Sequence, residues 1–288
     1  MDWAKAKSVL IFIFIALNIF LTANIGFQKA EKGVSRETLS HVEKILTGRN
    51  VVIKCKLPSY EGYSAAVSYE SGSSFDKQAI TEKLLGITGK SAADIRLGEA
   101  LVNDTRRLTF KSESSFVFLN SNPKENIDIS NNGKIEKHML KVIGSLNLPT
   151  RSRYALYKNE KLADGNSKAY FYEKYDNFYI FGNYIEAVLS PKGLVSMECK
   201  FKKVTFEKDG KESEKVLRAY QVLISNIADL ENSVITGIDL GFSANDLTQD
   251  TKGMWEKAVW RVSLEGKEPI DYNAIKGFKI TNTNQKSR

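Results

Sequence analysis

Between Ser8 and Gln28 the chain carries no charged residue, and Val9–Phe27 is almost wholly apolar. A helix over that stretch, at 1.5 Å rise per residue, is about 28 Å long, close to the roughly 30 Å hydrocarbon core of a bilayer. Only Asn18, Thr22 and Asn24 interrupt it with polar side chains. A cleaved signal peptide has a shorter apolar core, about 7–15 residues, followed by a small-x-small cleavage site. Thr22-Ala23-Asn24 offers no such site, and no cysteine follows closely enough for a lipoprotein anchor. The stretch reads as an uncleaved signal-anchor, with a removed signal as the competing reading. Flanking charge does not set its orientation, because Lys5 and Lys7 precede it and Lys29, Lys32 and Arg36 follow it. Long domains translocate largely regardless of charge, which favours a cytoplasmic N-terminus and an extracellular C-terminal part at the cell membrane.

No second run reaches membrane-spanning length. The chain as a whole is 42% hydrophobic and 26% charged, as in ordinary globular proteins. Net charge is +8, but the lysines are dispersed, so a basic solvated surface is expected rather than a nucleic-acid stripe. Cys55 and Cys199 are the only cysteines, each in a strand-like run and in phase with apolar neighbours. Buried free thiols are the default reading, with a disulfide left open for an extracellular chain.

Periodicity then divides the rest. Helices are expected from Ser35 to Gly48, from Asp76 to Gly86, from about Lys134 to Leu146, and over Glu212–Leu230, where Val216, Leu223, Ile227 and Leu230 share a face. Strands are expected over Asn50–Leu57, Tyr60–Tyr69, Ala100–Lys111, Ser115–Asn120, Tyr154–Lys158, Lys168–Tyr175, Phe178–Leu189, Leu194–Glu207, Ile235–Phe242, Ala258–Leu264 and Tyr272–Ile280. Along Leu194–Glu207 the apolar phase slips, which predicts a one-residue bulge near Lys202-Lys203. The fold class is α+β, a single N-terminal transmembrane helix followed by two modules of antiparallel β-sheet with packed helices. The expected divisions are a cytoplasmic tail (1–8), the anchor (9–27), a first extracellular domain (34–149), a second, β-rich one (150–281) and a polar tail (282–288).

Chemistry is hard to find in the sequence. His41 and His138 lack metal-ligand spacing, and no nucleotide-binding loop or nucleophile elbow occurs. Ser121-Asn122-Pro123-Lys124 matches S-x-x-K, but the Ser/Asn and K-T-G companions of that site are missing. No catalytic residue, cofactor or metal is assigned, and the chain is not expected to be an enzyme. The aromatic run Tyr170, Phe171, Tyr172, Tyr175, Phe178, Tyr179, Phe181 and Tyr184 suits either a strand core or, through outward tyrosines, a binding platform, with core the stronger reading.

Two ends of the chain carry a resemblance. Met1-Asp2-Trp3-x-Lys5-x-Lys7 before a bilayer-length apolar run resembles the opening of the YycI family, and so do Ile238-Asp239-Leu240-Gly241-Phe242, Val259-Trp260-Arg261-Val262 and Asn273-Ala274 with Gly277 at the close. Ala258 stands where that family usually has proline, and Phe242 where it has tyrosine. The resemblance implies a non-enzymatic, membrane-anchored regulator of the YycFG (WalRK) two-component system, acting with a YycH-like protein on the sensor histidine kinase. It marks Asp2, Trp3, Leu240, Gly241, Phe242, Trp260, Arg261, Asn273 and Gly277 as family-motif positions. The same closing pattern also resembles PepSY-type modules, which gives an anchored inhibitor of an extracytoplasmic protease as the alternative. An adaptor without an active site must act through differential contacts with the states of its partner. Ile11, Ile15, Asn18, Thr22 and Ile25 recur at spacings of three to four and share one helix face, the expected interaction surface within the membrane. Trp260 is expected in the core and Arg261 outward. Self-association as a homo-oligomer is left open.

Overall fold

A computed structural model describes residues 14–15, 17–18, 36–64, 66–69, 75–89, 91, 94–148, 153–206, 214–243 and 257–280. Along them run α1 (Arg36–Thr47), β1 (Val51–Ile53), β2 (Val67–Tyr69), α2 (Lys77–Leu85), β3 (Ala100–Asn103), β4 (Arg106–Ser112), β5 (Ser115–Asn120), α3 (Asn132–Ser145), β6 (Arg153–Lys161), β7 (Ser167–Tyr175), β8 (Phe178–Ser190), β9 (Gly193–Lys200), β10 (Val204–Phe206), α4 (Ala219–Ser225), α5 (Ile227–Leu230), β11 (Ser233–Phe242), β12 (Ala258–Leu264) and β13 (Lys267–Asn273). The class is α+β with mostly antiparallel pairing. Helix ends follow local chemistry: the Asp76 carboxylate accepts the Ala79 N–H at 2.9 Å, and Gly86, at φ 74°, closes α2 in the left-handed conformation.

Strand β8 is the spine of an eleven-stranded sheet. Its C-terminal half, Tyr184–Ser190, pairs antiparallel with β9, which leads on to β5, β4 and β3. Its N-terminal end pairs in parallel with β11, Tyr179 opposite Gly241 and Ile180 opposite Phe242, which leads on to β12 and β13. Strand β7 follows the other edge of β8 throughout, but Tyr172 pairs Tyr184 while Glu173 pairs Ile180. Phe181, Gly182 and Asn183 are therefore extra residues on β8, and all three are buried. Here the strand leaves one group of neighbours and joins the other. The Asn183 side chain replaces the missing ladder: its amide donates to the Lys202 carbonyl at 2.7 Å and to Glu173 Oε2 at 2.5 Å, and its Oδ1 accepts the Lys202 N–H at 2.8 Å.

Two apolar clusters flank this crossing. The first gathers Phe75, α2, β4, β5, α3 and the C-terminal half of β8, with Phe110, Phe116, Phe171 and Met197 fully covered. The second gathers α1, β1, β2, α4 and β11–β13 around Leu46, Leu223, Phe242, Trp260 and Tyr272. Neither cluster stays on one side of residue 149, where the sequence suggests a boundary. Val42–Tyr69 packs with the C-terminal strands, because β1 pairs in parallel with β11, Val51 opposite Ser233. Cys199 lies in the first cluster and Cys55 against the second, and both are free.

Three local expectations change. The helix expected from Glu212 begins only at Ala219, because 214–217 runs extended: Ser64 N–H donates to the Glu214 carbonyl, Val216 N–H to Gly62 and Leu217 N–H to Ala274. The phase slip near Lys202 marks a break rather than a bulge, since β10 leaves to pair with β2. The last strand is β13, Lys267–Asn273, followed by a turn. Near the N-terminus Phe14, Ile15, Leu17 and Asn18 are helical, and the rest of Val9–Phe27 lies outside the described residues. Among the described residues no helix is long and apolar enough to cross a membrane.

Removing the Asn183 amide takes one hydrogen bond each from the Lys202 N–H, the Lys202 carbonyl and the buried Glu173 carboxylate, at about 1–3 kcal/mol for each group left unsatisfied. Asn183→Ala is expected to lower stability by roughly 3 kcal/mol, since such losses are not additive. Urea denaturation of the full chain in detergent measures this, and an unchanged midpoint would show that the crossing is held by something else.

Candidate functional site

The aromatic run on β7 and β8 sorts by face. Phe171, Phe178, Ile180 and Phe181 are buried, whereas Tyr170, Tyr172, Tyr179 and Tyr184 are half-buried and Tyr175 is exposed. Phenylalanine has no polar atom to satisfy; a tyrosine hydroxyl needs a partner, so the tyrosines take the face that opens to solvent. The core reading holds for Phe171, Phe178 and Ile180, whereas Phe181 packs on the opposite face with Tyr157, Tyr172 and Tyr179.

Tyr157 completes that face. On β6, Leu156 pairs Phe171 and Lys158 pairs Tyr170, which leaves Tyr157 as the extra residue of a bulge. Bulges re-aim side chains, and this one sends the phenol across to the C-terminal strands. Its hydroxyl donates to Asp239 Oδ2 at 2.8 Å and lies 3.0 Å from Ser263 Oγ. Its ring stands edge-on to Tyr172 at 5.0 Å and Tyr179 at 5.4 Å between centroids. Opposite the tyrosines, Asp239 faces Arg261 in the β11–β12 register, and Gly237 faces Ser263. The small residues leave a cleft of ≈ 610 Å³ between the tyrosine face and the β12–β13 hairpin, with Cys55 and Lys56 at one side.

The base of the site is ionic. Arg261 binds Asp271 through two parallel hydrogen bonds, Nε to Oδ1 at 2.7 Å and a terminal nitrogen to Oδ2 at 2.8 Å, and its guanidinium lies 3.8 Å from the centre of the Phe181 ring. Both side chains are largely covered, and Ser243 adds a third donor to Asp271 at 2.7 Å. Such planar, bidentate pairing suits arginine and not lysine. Burial raises the Asp239 carboxyl above its ordinary range, opposed by the Tyr157 hydroxyl, Lys174 and Arg261. Burial likewise pushes the Tyr157 phenol up, with the Asp239 charge adding to it.

The closing-motif positions divide between this site and the core. Leu240, Phe242 and Trp260 are buried in the second cluster, and the Trp260 indole N–H donates to the Leu217 carbonyl at 2.8 Å. Arg261, expected outward, is on the cleft side but paired. Asn273 Oδ1 accepts the N–H groups of Ile275 and Lys276, and Gly277, at φ 78°, passes its carbonyl to Asn226. That turn clamps α4 and α5 to the sheet. Tyr157, Asp239, Ser263 and Asp271 are missed by the sequence reading. The available signal is Asp239 itself, a carboxylate alternating with Gly237 and Gly241 on a strand whose Ile238, Leu240 and Phe242 are core. Of the proposed anchor face, Ile15 and Asn18 are helical and exposed; Ile11, Thr22 and Ile25, like Asp2 and Trp3, lie outside the described residues.

Gly241 has no room for a side chain: a Cβ there would sit 2.3 Å from the Tyr179 carbonyl oxygen and 2.6 Å from the Phe181 ring. Gly241→Ala is expected to push β8 off β11 and cost about 1–3 kcal/mol or more, read as a lower thermal midpoint; a wild-type midpoint would contradict the close approach. For Asp239 the sign follows from proton binding. The folded chain keeps this proton where the unfolded chain has lost it, so stability falls as pH rises from about 4 through the raised folded value. Asp239→Asn retains an oxygen for Tyr157 and removes the titration. Its stability relative to wild type is expected to rise across that window and then level off; a gap that is the same at about pH 4 and at neutral pH counts against it.

Residues 30–278 match the YycI protein family, a span that contains the cleft and every closing-motif position but not Asp2 and Trp3. No curated protein matches the chain. A match over most of the sequence places this chain in the YycI family, a regulatory family of the YycFG two-component system.

Proposed function

We propose that the protein is a non-enzymatic, single-pass membrane regulator that, with a YycH-like partner, shifts the activity of the sensor histidine kinase of a YycFG system controlling cell-wall metabolism. The observation that carries this reading is the family match over residues 30–278. The anchor is Val9–Phe27, with the N-terminus cytoplasmic and the folded part extracellular; the length of the apolar stretch supports it. The contact surface is the helix face of Ile11, Ile15, Asn18, Thr22 and Ile25. Asn18 donates its amide to the Phe14 carbonyl at 2.8 Å, which lowers the cost of holding an amide at bilayer depth.

A regulator of this kind works by binding one state of its partner better than the other. An interhelical hydrogen bond in a membrane contributes on the order of 1 kcal/mol, about a fivefold change in association. Asn18→Leu is therefore expected to reduce co-purification of the kinase from membranes about fivefold while leaving the membrane-inserted fraction unchanged. Equal co-purification together with unaltered kinase autophosphorylation in vesicles would rule the helix face out. Recovery of a peptidase in place of a kinase would favour protease restraint.

A further inference from the structure

We infer that the outer face of β3, β4, β5, β9 and β8 is a self-association surface, on which a second copy of this chain packs face to face about a two-fold axis along β5. On the inner face of these strands Leu101, Leu108, Phe118, Met197 and Ala187 are buried with α2 and α3 in the first cluster. Their neighbours along each strand point the other way. There Val102 is 56% exposed and Leu119 43%, and Val117 and Val188 are half-buried.

Two rows of side chains cross this outer face. One is Val102, Arg107, Leu119, Ser196 and Val188, and the next is Ala100, Thr109, Val117, Glu198 and Glu186. The register shifts in these pairings fall outside both rows, after Phe110 on β4 and after Val188 on β8. Turning a second copy about β5 sets its β4 over β9 and its β3 over β8, the aligned way in which two sheets pack. Leu119 and Val117 then meet their own counterparts, and Val102 meets Val188 of the second copy. Arg107 stands over Ser196 of the second copy, whose small side chain leaves it room to reach Glu198 one row away, about 7 Å along the strand.

Charge selects this axis. Glu198 faces Glu186 across the β8–β9 ladder, and like charges directly opposite destabilise a sheet. Glu186 is paired with Lys168 at 2.7 Å, whereas Glu198 has the Tyr184 hydroxyl at 3.4 Å and no ion pair among the described residues. Arg107, exposed between Val102 and Leu119, has no ion pair among them either. A two-fold axis across the strands sets each strand on its own counterpart, cation near cation and carboxylate near carboxylate. The axis along β5 instead makes the Arg107–Glu198 pair twice. Five strands by about five residues project roughly 24 Å by 17 Å, the low end for a specific interface, so the dimer is expected at micromolar concentration. This inference does not rest on the anchor or the kinase, and either can fail without the other.

Sedimentation equilibrium of the full chain in detergent, from about 1 to 100 µM, reads the association. The wild-type chain is expected to dimerise. Arg107→Glu and Glu198→Arg, both on the outer face, are each expected to weaken the dimer at least about tenfold, because each sets like charges against one another. An equimolar mixture of the two variants is expected to recover it, since unlike charges then meet at both contacts. The chain carrying both substitutions is expected to dimerise by itself. A monomeric wild type leaves the face to some other partner and overturns the assignment, and that measurement needs no variant. Single variants that dimerise like wild type would place the contact elsewhere, in the apolar N-terminal stretch for example. Folded single variants that stay monomeric on mixing would rule out the axis along β5.

Discussion

A strand that changes partners midway must satisfy the backbone groups it abandons, and in this fold one side chain does so. Where β8 leaves β9 for β11, the Asn183 amide presents a donor and an acceptor to Lys202 in the manner of a neighbouring peptide unit, and binds the buried Glu173 carboxylate as well. An unpaired group at this depth costs about 1–3 kcal/mol, so an apolar residue here would leave the crossing without a ladder on that side. Asn183 allows one sheet to serve two apolar clusters, and the rest of the architecture follows from it. Strand β9 can end, the chain can pass to β10 and β2, and β11 can approach β8 closely enough to require glycine at 241.

The cleft is a consequence of the same crossing. Because β7 stays with β8 on both sides of it, the tyrosine faces of β6, β7 and the start of β8 are carried over the polar face of β11–β13. Two devices then shape the contact. The bulge at Tyr157 turns its ring toward Asp239, and Gly237 leaves the floor beside it without a side chain. The Arg261–Asp271 pair, largely covered and stacked on Phe181, fixes the floor from below. Buried ion pairs of this kind are weak sources of net stability but specify geometry when all their partners are supplied. The ionic base of the cleft is therefore built from groups whose positions are set by neighbours rather than by solvent.

Much of this was legible locally. Alternation of phenylalanine and tyrosine in β7 and β8, the burial of Trp260, the Asp76 and Gly86 ends of α2 and the hairpin into β9 all follow from side-chain period and turn chemistry. What was not legible depends on partners distant in the chain. The parallel pairing of Val51–Ile53 with Ser233–Ile235 leaves no local mark, so α1 and β1 read as part of an N-terminal unit although they pack with the C-terminal strands. Residues 214–217 carry a helical apolar period, but hydrogen bonds to Gly62, Ser64 and Ala274 hold them extended, and tertiary pairing overrides propensity there. Asp239 was passed over for a related reason: a lone carboxylate in a strand becomes informative only when the opposite strands are known.

Those distant pairings also bear on how the folded part sits under the proposed topology. Residues 28–35 connect the apolar stretch to α1, and eight residues span at most about 28 Å when fully extended. Helix α1 buries Val42 and Leu46 in the second cluster, and β1 continues from it onto β11. Strand β11 then runs directly into the cleft floor at Gly237 and Asp239. Under the proposed topology the second cluster, which holds α1, is the half joined to the anchor in sequence, and the cleft floor on β11 belongs to that half.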